Sequence, residues 1–444
     1  MATGNLLVLY TLASIGLLLF LILYVRMHAF LALLLTSMAL GLACGMPPAK
    51  LLKSMQAGFG EALGFIAVVV ALGAMMGRYL ESSGGGRALA EWLLGKFGPR
   101  NAVWAVLTAS FIVGLPIFFE VAFMIMLPLV LSLARQSKKS LLYYGLPMAC
   151  AFTVTHAMVP PHPAPAAAAQ LMGANLALVI LYGTALAIPM ALSGVVYGLW
   201  IAKRMFIPVP QNKAHTEAPE ARQSPPPVPL VALLLTLPVL LIFAATIANR
   251  PGSKAESFLT FVGHPFTALT IAVLASMFFL GFRRGLDRET VTKMAAESLA
   301  PMASLLVIMG GGGAFKQVIV DSGAGAYAGQ MLAASSISPL VLAYVVAAGM
   351  RIAQGSATVA IITAAGIVAP LVKGIPGYTP EMLVLALCAG GTILSHVNDA
   401  GFWLANQSFG MTVPQTLKSW SVMKVFTSIV GLMIILGIQA LAGR

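Results

Sequence analysis

Along this chain, apolar runs of about 20 residues alternate with short polar or basic stretches, the rhythm of helices that each cross roughly 30 Å of hydrocarbon. Leu6 to Val25, Leu230 to Ala248 and Val422 to Ala442 are three such runs. About ten full crossings follow from the whole pattern, so the predicted fold class is an all-α polytopic membrane protein. Two further segments are apolar on both arms but polar and glycine-containing in the middle. The first, 102–134, surrounds Gly114-Leu-Pro-Ile-Phe-Phe-Glu120, and the second, 340–372, surrounds Arg351-Ile-Ala-Gln-Gly-Ser-Ala-Thr358. Each reads as a re-entrant hairpin.

The long hydrophilic stretch from Lys203 to Pro229 contains Pro225, Pro226 and Pro227 and reads as an exposed linker, 204–229, between an N-terminal half (1–203) and a C-terminal half (230–444). The halves resemble each other at an offset of about 240 residues: Glu81-Ser82 against Asp321-Ser322, Gly114 against Gly355, Thr155-His156 against Ser395-His396. An odd number of crossings separates equivalent points, which predicts an inverted repeat. After its hairpin each half supplies a broken helix, 140–172 and 381–410. Pro160, Pro161 and Pro163 interrupt the first, and the polar run Ser395-His-Val-Asn-Asp399 interrupts the second. Irregular backbone at membrane depth must be buried in protein or line a wet cavity, so these four breaks are the predicted site.

Composition narrows the class. With 444 residues, 59% of them hydrophobic and 9% charged, the chain is too apolar for a water-soluble domain. The first apolar run lacks a basic segment before it and a cleavage pattern after it, and is expected to be a retained helix. The formal charge of +13 does not indicate nucleic acid, because Lys and Arg are scattered between spans. Arg26, Arg87, Lys96, Arg100, Arg135, Lys138, Lys139, Lys203, Arg204, Arg283, Arg284, Lys293 and Lys418 fall on one set of loops. Only Lys50, Lys53, Arg250, Lys254 and Lys373 fall on the other. The first set is therefore expected to be cytoplasmic, with both termini outside. Cys44, Cys150 and Cys388 lie far apart in apolar segments and predict neither disulfides nor a thiolate metal site.

Charge at mid-membrane depth costs about 2.5–3.5 kcal/mol on insertion scales, so Glu120, Arg351 and Asp399 inside the breaks call for a function or a structural pairing. Arg351 suits a carboxylate, since its planar fork donates two parallel hydrogen bonds. His156, His396 and His162 either carry a coupling proton or serve as satisfied buried hydrogen-bonding groups; Asp399 and Glu120 are rival proton carriers. Thr153, Thr155, Gln354, Ser356, Thr358, Ser395 and Asn398, with Gly114 and Gly355 at the hairpin tips, offer neutral contacts for a hydroxylated ligand. No metal is expected, because His156 and His162 are six apart across prolines and lack HExxH-type spacing. Gly84–Gly86 and Gly310–Gly313 lack the strand-to-helix context and the P-loop Lys, and predict close helix packing instead of phosphate binding.

Gly114-Leu-Pro-Ile-Phe-Phe-Glu-Val121, His156 followed by Pro160-Pro-His-Pro163, Gly310-Gly-Gly-Gly-Ala-Phe-Lys-Gln317, Arg351 to Thr358 and Ser395-His-Val-Asn-Asp-Ala-Gly-Phe-Trp403 resemble the gluconate:proton symporter family over nearly the whole chain. The resemblance implies a multi-pass proton symporter of the bacterial inner membrane for gluconate or a related hydroxy acid, with no cofactor. It also implies a homodimer that moves a transport domain against a scaffold. Leu404-Ala405-Asn406 departs from the family pattern after Phe402-Trp403 and leaves other hydroxylated acids, such as D-serine or glycerate, as alternatives. The expected mechanism has Arg351 and hairpin amides hold the carboxylate, while Asp399 or a nearby histidine takes the proton. Two other classes compete: a cation–proton antiporter, which needs no organic ligand, and an intramembrane hydrolase built on Asp399, His396 and Ser395, for which no nucleophile-elbow motif exists.

Overall fold

The computed structural model describes residues 4–210, 224–248, 256–334, 337–396 and 399–442. Among these, every regular element is a helix. Six helices are long and apolar enough to cross a membrane: Pro48–Ser82, Phe119–Ser137, Leu176–Arg204, Pro265–Arg284, Ala303–Asp321 and Val413–Leu441. Shorter apolar helices accompany them, including Leu6–Ile22, Ala29–Ala43 and Val228–Ile242. Large side chains such as Leu9, Leu12, Val196, Phe258 and Met433 are exposed on the outer surface, which suits lipid and not water. Half of the proposed linker, 211–223, lies outside the described residues.

The same order of elements occurs twice. A helix (Pro48–Ser82 or Ala303–Asp321) precedes a helical hairpin, then a broken helix, then a long span (Leu176–Arg204 or Val422–Ala442). The first hairpin consists of Ala102–Val113 and Phe119–Ser137, and the second of Pro339–Gln354 and Ala357–Val372. The broken helices are Leu142–Met158 with Pro163–Met172, and Pro380–Gly391 with Ala400–Phe409. Local chemistry sets these boundaries. Gly355 ends the first arm of the second hairpin at φ 83°, a left-handed conformation that glycine adopts without steric cost. The Ser356 hydroxyl then accepts from the Val359 amide at 3.3 Å and starts the second arm. Outside the membrane, Asp287 starts Arg288–Leu299 by accepting from the Thr290 amide at 2.7 Å, a bond that holds its carboxyl below the ordinary range.

The glycine run is a packing surface. A methyl group on Gly58 would stand 2.3 Å from the Gly313 carbonyl oxygen, and one on Gly313 would stand 2.4 Å from the Gly58 carbonyl oxygen. Pro48–Ser82 and Ala303–Asp321 therefore cross with their backbones in contact, as small residues permit. Gly310 makes room for the Phe59 ring in the same interface. The two halves are thus joined at the helices that precede their hairpins.

Candidate functional site

Both hairpin tips and the second break meet in the interior. Arg351, at the end of the first arm of the second hairpin, is 3% exposed and pairs through Nη2 with a carboxylate oxygen of Asp399. Asp399 also accepts from the Ser395 hydroxyl, and from the Gly401 amide at 3.1 Å, where it begins Ala400–Phe409 as a helix cap. The Trp420 indole donates to the Ser395 hydroxyl oxygen at 2.6 Å, and the Ser421 hydroxyl donates to the Ser395 carbonyl. This fastens the second break to the last span. Among the described residues, Arg351 still has Nε and Nη1 buried without a partner, and both amide atoms of Gln354 are in the same condition. Unpaired buried polar groups are costly; an entering acceptor would satisfy the Arg351 nitrogens and the Gln354 amide nitrogen, and an entering donor the Gln354 oxygen.

They line a cavity of about 280 Å³ with Glu120, Thr153, His156, Gly355, Ser356, Thr358, Thr392, Asp399, Trp420 and Lys424. Three helices begin at its wall, at Phe119, Ala357 and Ala400. Helix N-termini present free amides and partial positive charge, which favours an anion. A second cavity, about 720 Å³, shares Glu120, His156, Ser356 and Thr358 with the first. It extends to Arg78, Glu81, Glu297 and Ser304, where Arg78 bridges Glu81 and Glu297 at 3.2 Å each. Glu297 lies in Arg288–Leu299, the helix that carries Lys293 and follows Arg283 and Arg284, residues of the loop set expected to face the cytoplasm.

The structure brings nine sequence-predicted residues together around the central cavity: Glu120, Thr153, His156, Arg351, Gln354, Gly355, Ser356, Thr358 and Asp399. Others stand behind its wall. Gly114 packs so closely that a methyl group there would stand 2.5 Å from the Thr155 hydroxyl, and that hydroxyl donates to its own helix carbonyls at Ala151 and Phe152. Ser395 acts through Asp399. Asn398 lies outside the described residues. The histidines divide in an order that the offset of the repeats does not foretell. Although His156 aligns with His396, it is His162 that matches His396 by contact: His162 Nε2 donates to the Gly114 carbonyl at 2.7 Å, and His396 Nε2 to the Ile352 carbonyl at 2.9 Å. Each ties a break to the tip of its own hairpin. His156 instead faces the cavity, with Nε2 3.3 Å from the Thr358 hydroxyl, Nδ1 unpartnered and its ring 4.7 Å from that of His162.

Sequence reasoning missed Lys424, Trp420 and Thr392. Lys424 is 3% exposed, yet it is the third residue of the apolar run that begins at Val422 and resembles a lysine at the edge of a span. The helix actually runs from Val413 to Leu441, which places Lys424 about three turns inside. A lysine in an apolar run is itself the signal that could have found it.

These features define a membrane transporter with an interior cavity lined by buried charged and polar side chains. The chain belongs to the GntP permease family, whose model, described as "GntP family permease", matches residues 6–442. It is therefore a multi-pass permease of the bacterial inner membrane, a transporter and not an enzyme. The chain is 42% identical to a gluconate permease of Pseudomonas aeruginosa over 93% of its own length and 92% of that protein. It is also 42% identical to the high-affinity gluconate transporter of Escherichia coli, over 94% and 96%. With the Gnt-II system L-idonate transporter of the same organism the identity is 38%, over 96% and 98%. Two solved transporters share the fold. MtrF of Neisseria gonorrhoeae has a TM-score of 0.63 at 16% identity, covering 87% of this chain and 83% of its own. YdaH of Alcanivorax borkumensis has a TM-score of 0.60 at 17% identity, covering 88% and 89%.

Proposed function

We propose that this permease carries gluconate or a closely related sugar acid into the cell together with protons, by alternating access. The observation that carries this reading is the buried Arg351 guanidinium in the cavity wall, which holds Asp399 with one nitrogen and leaves Nε and Nη1 without a partner among the described residues. The substrate carboxylate takes those donors in a charge-assisted pair. Thr153, Gln354, Ser356, Thr358 and Thr392 contact its hydroxyls. The names of the relatives, gluconate and L-idonate transporters, point to the same chemistry.

In this reading Glu120 carries the proton. Its carboxylate is exposed to the cavities and makes no hydrogen bond or ion pair with another described residue, whereas a proton on Asp399 would compete with three donors already in place. The two cavities form the inward route, and the halves 1–203 and 230–444, related by inversion, supply the alternate outward route when hairpins and broken helices shift against the long spans. Exchange of labelled gluconate by proteoliposomes loaded with unlabelled gluconate tests the substrate. Unlabelled gluconate and L-idonate are expected to compete at similar concentrations, and D-serine and glycerate only at about tenfold higher ones or beyond, since each missing hydroxyl contact forfeits about 0.5–1.5 kcal/mol. Stronger competition by D-serine or glycerate would reassign the substrate. Sodium-dependent proton flux without any organic acid would replace symport with antiport.

A further inference from the structure

Lys424 stands out among the groups the proposed mechanism has not used. It is 3% exposed, lines the central cavity, and neither pairs with a carboxylate nor hydrogen-bonds any described residue. A buried ammonium without a counter-ion is expensive, and a native fold keeps one where something else supplies the opposite charge.

The charges around it are few. Asp399, Arg351 and Cys150 are its electrostatic neighbours, on the second break, the second hairpin and the first broken helix, and His156 also feels its field. Arg351 and Asp399 cancel each other as a pair. With His156 and Cys150 neutral, the desolvated layer carries one net positive charge, that of Lys424. Glu120 is the remaining acid on the cavity wall; it faces Asp399 within the site, and in the adjoining cavity it faces the Arg78, Glu81 and Glu297 cluster.

Building on the proton-coupled reading above, we infer that Lys424 is the coupling charge of the site, balanced either by ionised Glu120 or by the single carboxylate of the substrate. The empty site is neutral with Glu120 ionised. When a monocarboxylate enters, its charge takes over the balance and Glu120 takes up a proton, so the loaded site is neutral again. Binding either partner alone leaves an uncompensated charge in a low-dielectric interior. One proton thus accompanies one monoanion, and a dicarboxylate of the same length is rejected because it brings a second charge with nothing to meet it.

Equilibrium binding of labelled gluconate to the purified full-length protein between pH 6 and pH 8 tests this. In wild type the Kd is expected to rise by up to about tenfold per pH unit across the range where Glu120 of the empty site ionises, the slope for uptake of one proton. Lys424→Gln is expected to bind at least about tenfold more weakly and to lose the slope, because Glu120 then stays protonated in the empty site; Lys424→Arg keeps the slope. Removing an unpaired buried charge leaves no orphan, so the Gln variant is expected to fold. If it does not, calorimetry of wild type in two buffers of different ionisation enthalpy decides the matter by counting protons taken up per gluconate, with one expected. A wild-type slope in Lys424→Gln, or no proton uptake by wild type, overturns the inference while leaving gluconate transport standing. Failure of wild type to bind any sugar acid overturns the transport reading itself, and the inference with it.

Discussion

Arg351→Ala is expected to lower gluconate exchange by about a hundredfold or more per folded molecule. Hydrogen bonds to a charged partner contribute about 1.5–3 kcal/mol, and about 1.4 kcal/mol is a factor of ten, so losing the strongest carboxylate contact alone accounts for that drop. A second loss is separable from the first. The substitution leaves Asp399, 15% exposed, without its ion-pair partner, and breaking a buried pair by removing one partner costs at most about 3–5 kcal/mol. The amount of monodisperse protein recovered in detergent should therefore fall as well. Adding Asp399→Ala removes the orphaned charge, and the double variant should regain protein yield without regaining exchange. Near-wild-type exchange by the double variant would make the pair purely structural and would move carboxylate recognition elsewhere in the cavity.

Glu120→Gln should have a different signature. The amide imitates the protonated acid in shape and charge, so the variant stays able to load substrate and to exchange it across the membrane. It cannot release a proton, and accumulation against a gradient should fall to equality between the two sides. Exchange and gradient-driven uptake in the same liposome preparation separate these outcomes. A variant that still concentrates gluconate would pass the proton role to Asp399 or His156, the other acid and the histidine that faces the cavity.

The membrane class, the four breaks and the grouping of Glu120, Arg351 and Asp399 were legible in the sequence because lipid makes them expensive. A polar residue or a proline survives inside an apolar run only where the fold accommodates it, so each exception reports a local fact. The packing role of Gly310–Gly313 was legible for the same reason. What failed to show was which partner each polar group meets. Thr155 and Thr358 look alike in the sequence, yet one bonds its own helix and the other meets His156 at the cavity wall. The match of His156 with His396 follows from the repeat offset, but the equivalent contacts belong to His162 and His396, since the first helix continues through His156 to Met158 whereas the second ends at Gly391. Lys424 stayed hidden because hydropathy places the edge of a span where the apolar residues begin, while the helix itself had begun at Val413.

Uptake of labelled gluconate into proteoliposomes under an imposed inward proton gradient bears most directly on proton-coupled transport through this cavity. A gradient of one pH unit is expected to drive accumulation of up to about tenfold for one proton per monoanion, to leave uptake indifferent to an imposed membrane potential because the pair is neutral, and to lose its effect when a protonophore is added. Uptake that ignores the pH gradient, or that follows a sodium gradient in its place, would contradict proton coupling.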